Sequence, residues 1–428
     1  MMKKEIITNS RTGEKYTKII HDSGLEILIW KTPGYSVKHA IFGTRYGSVN
    51  TTFKTSDDPD FVTVPNGIAH YLEHKLFENE DCDVFDLYAK TGASGNAYTS
   101  FDRTCYLFSC TDNFIPSLRI LLDFVQKPYF TEETVRKEQG IIGQEIRMYD
   151  DSPDWRVFFN LLEGIYHENP VRIDIAGTQE SIAKITADLL YRCYYTFYNL
   201  HNMVLAIAGD VDEDEILAAC DELLKPCENK NLISIVPEEP DRVKDSYKEQ
   251  RFEVAVPMFN LGFKSKPVSS EDIVRETVMC NIVEELLIGE TSELYKKLYD
   301  EGIINSSFYF ETFSGDGFFV PIFGGESRDP EKVRSALAEE IKMRSEKGFD
   351  AETFEISKKY YYGSLIKSLE SPESVASALV NAGLRGTGDA FSVIEAAANV
   401  TLDDLKNCLK KRFDTDNCTL SVIRPIEK

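Results

Sequence analysis

The sequence predicts an α+β chain of two similar halves, each a mainly antiparallel sheet covered on one side by helices. Three observations carry this. Strand pairs alternate with amphipathic helices through the first half. The stretch "KPCENKNLISIVPEEPDRVKDSYKEQ" at 225–250 is rich in Pro, Glu and Lys and reads as a linker at 226–250, between halves 1–225 and 251–428. The second half then echoes the first. "NIVEELL" at 281–287 stands where "HYLEHKL" stands at 70–76, and "GFDAETFEISKKYYYGSLI" at 348–366 echoes "YFTEETVRKEQGIIGQEI" at 129–146. A length of 428 residues also suits two domains of about 200.

Taken in order, "GLEILIWKTPG" and "KHAIFGTRYGSV" read as strands separated by a Pro-Gly turn. A helix follows, with Ile68, Ala69, Leu72, Leu76 and Phe77 at helical spacing and Asn66 placed to cap its first turn. "SGNAYTSF" and "TCYLFSC" read as a second strand pair, and "IPSLRILLDFVQ" as a helix. "TEETVRKEQGIIGQEIRMY" is a longer helix with acids in its first turn, where the helix dipole favours them. "NMVLAIAGDV" reads as a buried strand.

The chemistry concentrates in "NGIAHYLEHKLFENED", which spends two of the chain's six histidines on one helical turn. Positions i and i+4 share a face, so His70 and His74 aim at one point, with Glu73 beside it. Two neutral imidazoles suit zinc, which wants a third protein ligand and leaves a fourth position open for catalysis. The bland readings are a structural zinc site or two satisfied histidines on a buried helix. His21, His39, His167 and His201 have no spacing partner and read as surface or core residues.

His-x-x-Glu-His inverts the common zinc-protease motif, and here the sequence resembles the pitrilysin/insulinase family, which includes the mitochondrial processing peptidase. The resemblance implies a pitrilysin/processing-peptidase-like fold and a third ligand on a second helix, with another glutamate seven residues before it. Glu145 and Glu138 stand at those positions. It implies one Zn²⁺ per chain held by His70, His74 and Glu145, with Glu73 as general base and Glu138 orienting a ligand. A solvated helix acid is the alternative for Glu138. The same three-ligand set also suits Mn²⁺ or Co²⁺. "SGNAYTSF" resembles the family's active-site edge strand, so Asn96, Ala97 and Thr99 would line a peptide track. An ordinary strand pair is the alternative.

The sequence also departs from the family pattern. Asn281 and Glu285 stand where a second pair of histidines would be, and Ser357 and Ser364 face Glu138 and Glu145 in the alignment of the halves. Active members use an Arg and a Tyr from the second half to hold substrate and stabilise the oxyanion. Glu293 and Asn305 take those places in "TSELYKKLYDEGIINSSF". The resemblance therefore implies a homologous partner chain without zinc ligands that supplies the pair, in a heterodimeric clamshell, with a homodimer as the other arrangement. Within the family, "GIIGQEIRMYDDSPDWR" resembles a bacterial branch associated with 5-aminopentanol modification of elongation factor P. The function expected is a zinc endopeptidase for small or unfolded peptides; the rival is a non-hydrolytic binding or scaffold subunit.

A net charge of −23 argues against nucleic acid and anionic membrane surfaces and is compatible with cationic peptides or a merely soluble surface. Nine cysteines without a CxxC pair, and no apolar segment near the start, predict reduced thiols in a cytoplasm.

Overall fold

The computed structural model describes residues 2–80, 83–386 and 389–426. It contains two compact units: residues 1–146, 174–235 and 367–391 in the first, and 147–173, 236–366 and 392–428 in the second. The units are therefore discontinuous in sequence, where the expected boundaries ran 1–225, 226–250 and 251–428. Segment 147–173 goes to the second unit and 367–391 to the first.

The first unit is built on strands β1 (Lys3–Thr8), β2 (Lys15–Ile20), β3 (Glu26–Lys31), β4 (Lys38–Thr44), β5 (Ser94–Thr99), β6 (Thr104–Cys110) and β7 (Met203–Gly209). Their order is β1-β2-β3-β7-β4-β6-β5. The strands on either side of the Pro-Gly turn, β3 and β4, do not pair with each other. β7 lies between them, parallel to β3 and antiparallel to β4. Every residue of β7 is buried, which suits a strand with neighbours on both edges and cover on both faces. β5 pairs only with β6 and forms one edge of the sheet.

The helices that position the site are α1 (Ile68–Leu76), α2 (Val84–Thr91), α3 (Phe114–Phe124) and α4 (Glu132–Asp150). Next come α5 (Pro153–Ile165), α6 (Ile273–Ile288), α7 (Ala351–Ser368) and α8 (Pro372–Arg385). Tyr106 of β6 meets Phe77 and Phe124 on one face of the first sheet. On the other face a Cβ at Gly43 would touch Leu384 and Val380 of α8. The first sheet thus gains cover from a helix that is late in the chain.

The second unit has strands β8 (Tyr247–Phe252), β9 (Met258–Phe263), β10 (Tyr309–Gly315), β11 (Phe318–Glu326) and β12 (Cys418–Pro425), in the order β8-β12-β9-β11-β10. Here α5, from early in the chain, covers the sheet: a Cβ at Gly262 would meet its Ile165 and Leu161. Each of the two large sheets is antiparallel except for one pair, β3 with β7 and β8 with β12. This is the α+β class that the sequence predicts.

Eight described cysteines are free thiols, and Cys82 lies outside the described residues. The Sγ atoms of Cys280 and Cys408 lie 3.4 Å apart in the core of the second unit. No helix among the described residues is long and apolar enough to cross a membrane.

Candidate metal centre and substrate groove

α1 begins with a backbone turn that only glycine suits. Asn66 does not cap the helix; its carbonyl accepts a bond from Ser181 Oγ at 2.8 Å. Gly67 takes the N-cap position at φ 89° without a side-chain cap, and a Cβ there would lie 2.4 Å from the Ala176 carbonyl oxygen. The buried faces of α1 then fix its rotation. Ile68, Tyr71, Leu72 and Leu76 go into the core, and the Tyr71 hydroxyl donates to the Val135 carbonyl of α4. That bond ties the helix of His70, Glu73 and His74 to the helix of Glu138 and Glu145.

These five side chains converge. One donor atom from each of His70, His74 and Glu145 lies within 4.8 Å of the other two. The Glu145 carboxylate reaches His70 Nε2 at 3.6 Å and His74 Nε2 at 3.4 Å. His74 Nδ1 is 3.0 Å from Glu138 Oε1, so its other nitrogen is left for a ligand. His70 Nδ1 is buried without a hydrogen-bond partner. Two imidazoles and a carboxylate at this spacing, open on one side, suit a divalent transition ion.

The electrostatics set the five apart. Burial, helped by neighbouring His74, pulls the His70 imidazole down to about 3 and keeps it neutral, as a ligand must be. Burial also pulls on His74, but the Glu138 hydrogen bond and the carboxylates of Glu73 and Glu145 outweigh it and raise the imidazole. Burial raises the Glu73 carboxyl against the opposing hydrogen bond from Thr99. Glu138 is lowered: burial opposes ionisation, but the bond to His74 and nearby Lys75 and Lys137 prevail. Glu73 and Glu138 are thus pushed in opposite directions, a pattern that suits one carboxylate to proton transfer and the other to fixed charge.

The edge strand β5 runs beside this cluster. Asn96 is exposed and its side chain accepts from the Ala97 amide at 2.8 Å, while Ala97 is half-buried. Both border a cavity of about 640 Å³ that reaches Glu73, His74 and Glu138. Thr99, expected among the peptide-lining residues, has its hydroxyl committed to Glu73 Oε2 at 2.7 Å. Sequence spacing gave no signal for that link, because the two residues lie on different elements 26 positions apart.

The second unit repeats the layout with Asn281, Glu285 and Ser364 where the first has His70, His74 and Glu145. Asn281 on α6 bonds through Nδ2 to the Tyr361 hydroxyl on α7 at 2.9 Å, linking two helices where the first unit sets a ligand cluster. Glu284 matches Glu73 and receives the Thr312 hydroxyl of edge strand β10 at 3.2 Å. Ser364 bonds locally to the Tyr361 carbonyl at 2.7 Å, and Ser357 is buried. Glu293 opens a helix whose N-cap is Ser292, and Asn305 Nδ2 bonds to Glu326 at 2.6 Å.

Against known proteins, residues 63–179 match the family described as Insulinase (Peptidase family M16), and residues 184–361 match Peptidase M16 inactive domain. A Bacillus subtilis (strain 168) protein named uncharacterized zinc protease YmfH is 40% identical over 412 residues, covering 94% of this chain and 95% of its own. This chain belongs to the M16 peptidase family. The insulinase match covers α1 and α4, which carry the candidate ligand cluster. The inactive-domain match covers Asn281 and Glu285, where the donors are missing. An M16-like peptidase from Alicyclobacillus acidocaldarius has the same fold at TM-score 0.91 and 34% identity, with 99% of both chains covered. Pitrilysin shares the M16 fold at TM-score 0.77 and 15% identity, and this chain spans 47% of its length.

Proposed function

We propose that this chain is a zinc-dependent endopeptidase subunit acting on small or unfolded peptides. The observation that carries the reading is the convergence of His70, His74 and Glu145 within 4.8 Å, beside a buried Glu73. His70, His74 and Glu145 would hold the ion, which supplies Lewis-acid chemistry and makes water acidic enough to attack near neutral pH. Glu73, set by Thr99, takes the proton from the attacking water and delivers it to the leaving amine. Glu138 holds the His74 ring in its ligating tautomer. A peptide adding to the edge of β5 along Asn96 and Ala97 presents its carbonyl to this cluster, using backbone bonds for affinity.

A homologous chain that keeps the Arg and Tyr is the natural partner, because Glu293 and Asn305 supply neither an oxyanion donor of that kind nor a cation. The spans are compatible with this pairing: the pitrilysin chain is about twice as long as this one. A cytoplasmic setting rests on the scattered cysteines without a CxxC pair, the link to elongation factor P modification rests on sequence resemblance, and both belong to the proposal. The second reading, a non-hydrolytic scaffold subunit, is favoured by the same Glu293 and Asn305.

Peptide cleavage by the purified chain, with and without such a homologue, tests the proposal. The reading expects zinc-dependent cleavage that rises with the homologue and disappears in Glu73→Gln. A cellular role that survives Glu73→Gln intact would favour the scaffold instead.

A further inference from the structure

The core of the second unit holds a pair of thiols that the peptide chemistry does not use. Cys280 of α6 and Cys408 of the helix Leu402–Arg412 are 0% and 2% exposed. Their Sγ atoms lie 3.4 Å apart, although the residues are 128 positions apart in the chain. A disulfide needs about 2.05 Å, so a shift of about 0.7 Å at each sulfur closes the gap.

The two helices are pinned in the register that brings the sulfurs together. Glu276 stands one turn before Cys280 on the same face, and Arg412 one turn after Cys408. Glu276 accepts from Arg412 Nε at 2.9 Å and from Lys411 Nζ at 2.8 Å. Arg275 adds a bond to Asp404 at 2.6 Å. Glu276 with Arg412 and Cys280 with Cys408 are thus successive rungs between the same two helices. Burial and the neighbouring Cys408 push the Cys280 thiol well above its ordinary range, so the pair is quiet in the closed fold.

We propose that Cys280 and Cys408 are a latent disulfide, a redox-sensitive staple that closes when the chain meets a small-molecule disulfide as oxidant. During transient opening of the core, the thiolate of Cys408, the less buried residue, attacks the oxidant. The oxidant's S–S bond breaks, a mixed disulfide forms and one thiolate leaves. The Cys280 thiolate then attacks the Cys408 sulfur, the internal S–S bond forms and the second thiolate leaves. The two thiol protons end on the released thiolates, and two electrons pass from the protein sulfurs to the oxidant. The reclosed core shields the new bond from reductants. The crosslink closes a long loop of the unfolded chain and so favours the folded state. The staple works whether or not the chain hydrolyses peptides.

The test incubates the purified full-length chain with excess oxidised glutathione, in urea at about half its unfolding midpoint so that openings are frequent. Urea and oxidant are then removed, remaining thiols are alkylated after unfolding, and peptides are mapped by mass spectrometry. The expected product is a peptide pair joined through Cys280 and Cys408, two hydrogens lighter than the separate thiol peptides. The melting temperature of the oxidised chain should rise by about 5–10 °C and return after unfolding in dithiothreitol and refolding. Cys280→Ala and, separately, Cys408→Ala should show neither the crosslink nor the rise. Exposed Cys227 reports that the oxidant is active. Recovery of Cys280 and Cys408 as alkylated thiols or as separate glutathione adducts, while Cys227 is oxidised, overturns the proposal. A crosslink that leaves the melting temperature unchanged, or a rise that persists in both variants, overturns it as well.

Discussion

The Thr99 hydroxyl donates to Glu73 at 2.7 Å, and the Thr312 hydroxyl sits 3.2 Å from Glu284 at the matching place in the second unit. The fold therefore ties each edge strand to its neighbouring helix by the same pair, with the His70, His74 and Glu145 cluster in one unit and Asn281, Glu285 and Ser364 at the matching positions of the other. In the first unit that bond also fixes the carboxylate assigned to proton transfer.

Thr99→Val should lower kcat about 10- to 100-fold and change KM by less than about twofold, because a hydrogen bond to a charged acceptor contributes about 1.5–3 kcal/mol. Thr99→Ser, which keeps the hydroxyl, should restore the rate. Steady-state kinetics on folded, zinc-loaded protein separates this from a purely architectural role. In that case Thr99→Val would lower the melting temperature and leave kcat of the folded fraction unchanged.

Glu138 holds His74 by its Nδ1 atom at 3.0 Å. Replacing it with alanine frees the ring and removes a nearby negative charge. Zinc affinity should fall about 10- to 100-fold, read by competition with a chromogenic chelator. An unchanged affinity would leave Glu138 as an ordinary helix acid.

Glu284 gives the pH dependence a definite sign. Burial raises its carboxyl well above the ordinary 4.5, despite the opposing hydrogen bond from Thr312. The folded chain keeps this proton and the unfolded chain releases it. The group's favourable contribution is therefore complete below the unfolded value and is lost as pH rises towards the folded one. Glu284→Gln should match wild type near pH 4.5 and become progressively more stable towards pH 8. Each kcal/mol gained should raise the melting temperature by about 2–4 °C for a unit of this size. Equal melting curves at both ends of that range would contradict the assignment.

Gly67→Ala meets two obstacles, the positive φ and the Ala176 carbonyl 2.4 Å from the new Cβ. A loss of about 2–3 kcal/mol is expected from urea unfolding, with zinc content falling because α1 must shift.

Much of this was legible in the sequence because the decisive signals are local. The i, i+4 spacing of His70 and His74 lies on one helix, where periodicity fixes the face, whereas Glu138 and Glu145 were picked out by the family resemblance and share a face because seven residues is nearly two turns. The rest depends on contacts that periodicity cannot rank. An apolar strand such as β7 announces its burial but not its neighbours, so its place between β3 and β4 could not be read. Helices α5 and α8 announce an apolar face but not which sheet receives it, so two contiguous halves were expected where segments are exchanged. Asn66 has the right chemistry for a cap, yet the close approach of Ala176 demands glycine one residue later. Thr99 was expected on the peptide track from the family resemblance, and nothing in the strand's own sequence shows that its hydroxyl meets Glu73.

The central claim is that His70, His74 and Glu145 form a three-ligand catalytic metal site, and the metal content of the purified chain beside Glu145→Gln tests it most directly. The account predicts about one zinc per wild-type chain and a large loss in the variant, with both proteins folded. No tightly held metal in the wild-type chain, or equal zinc in both proteins, would contradict it.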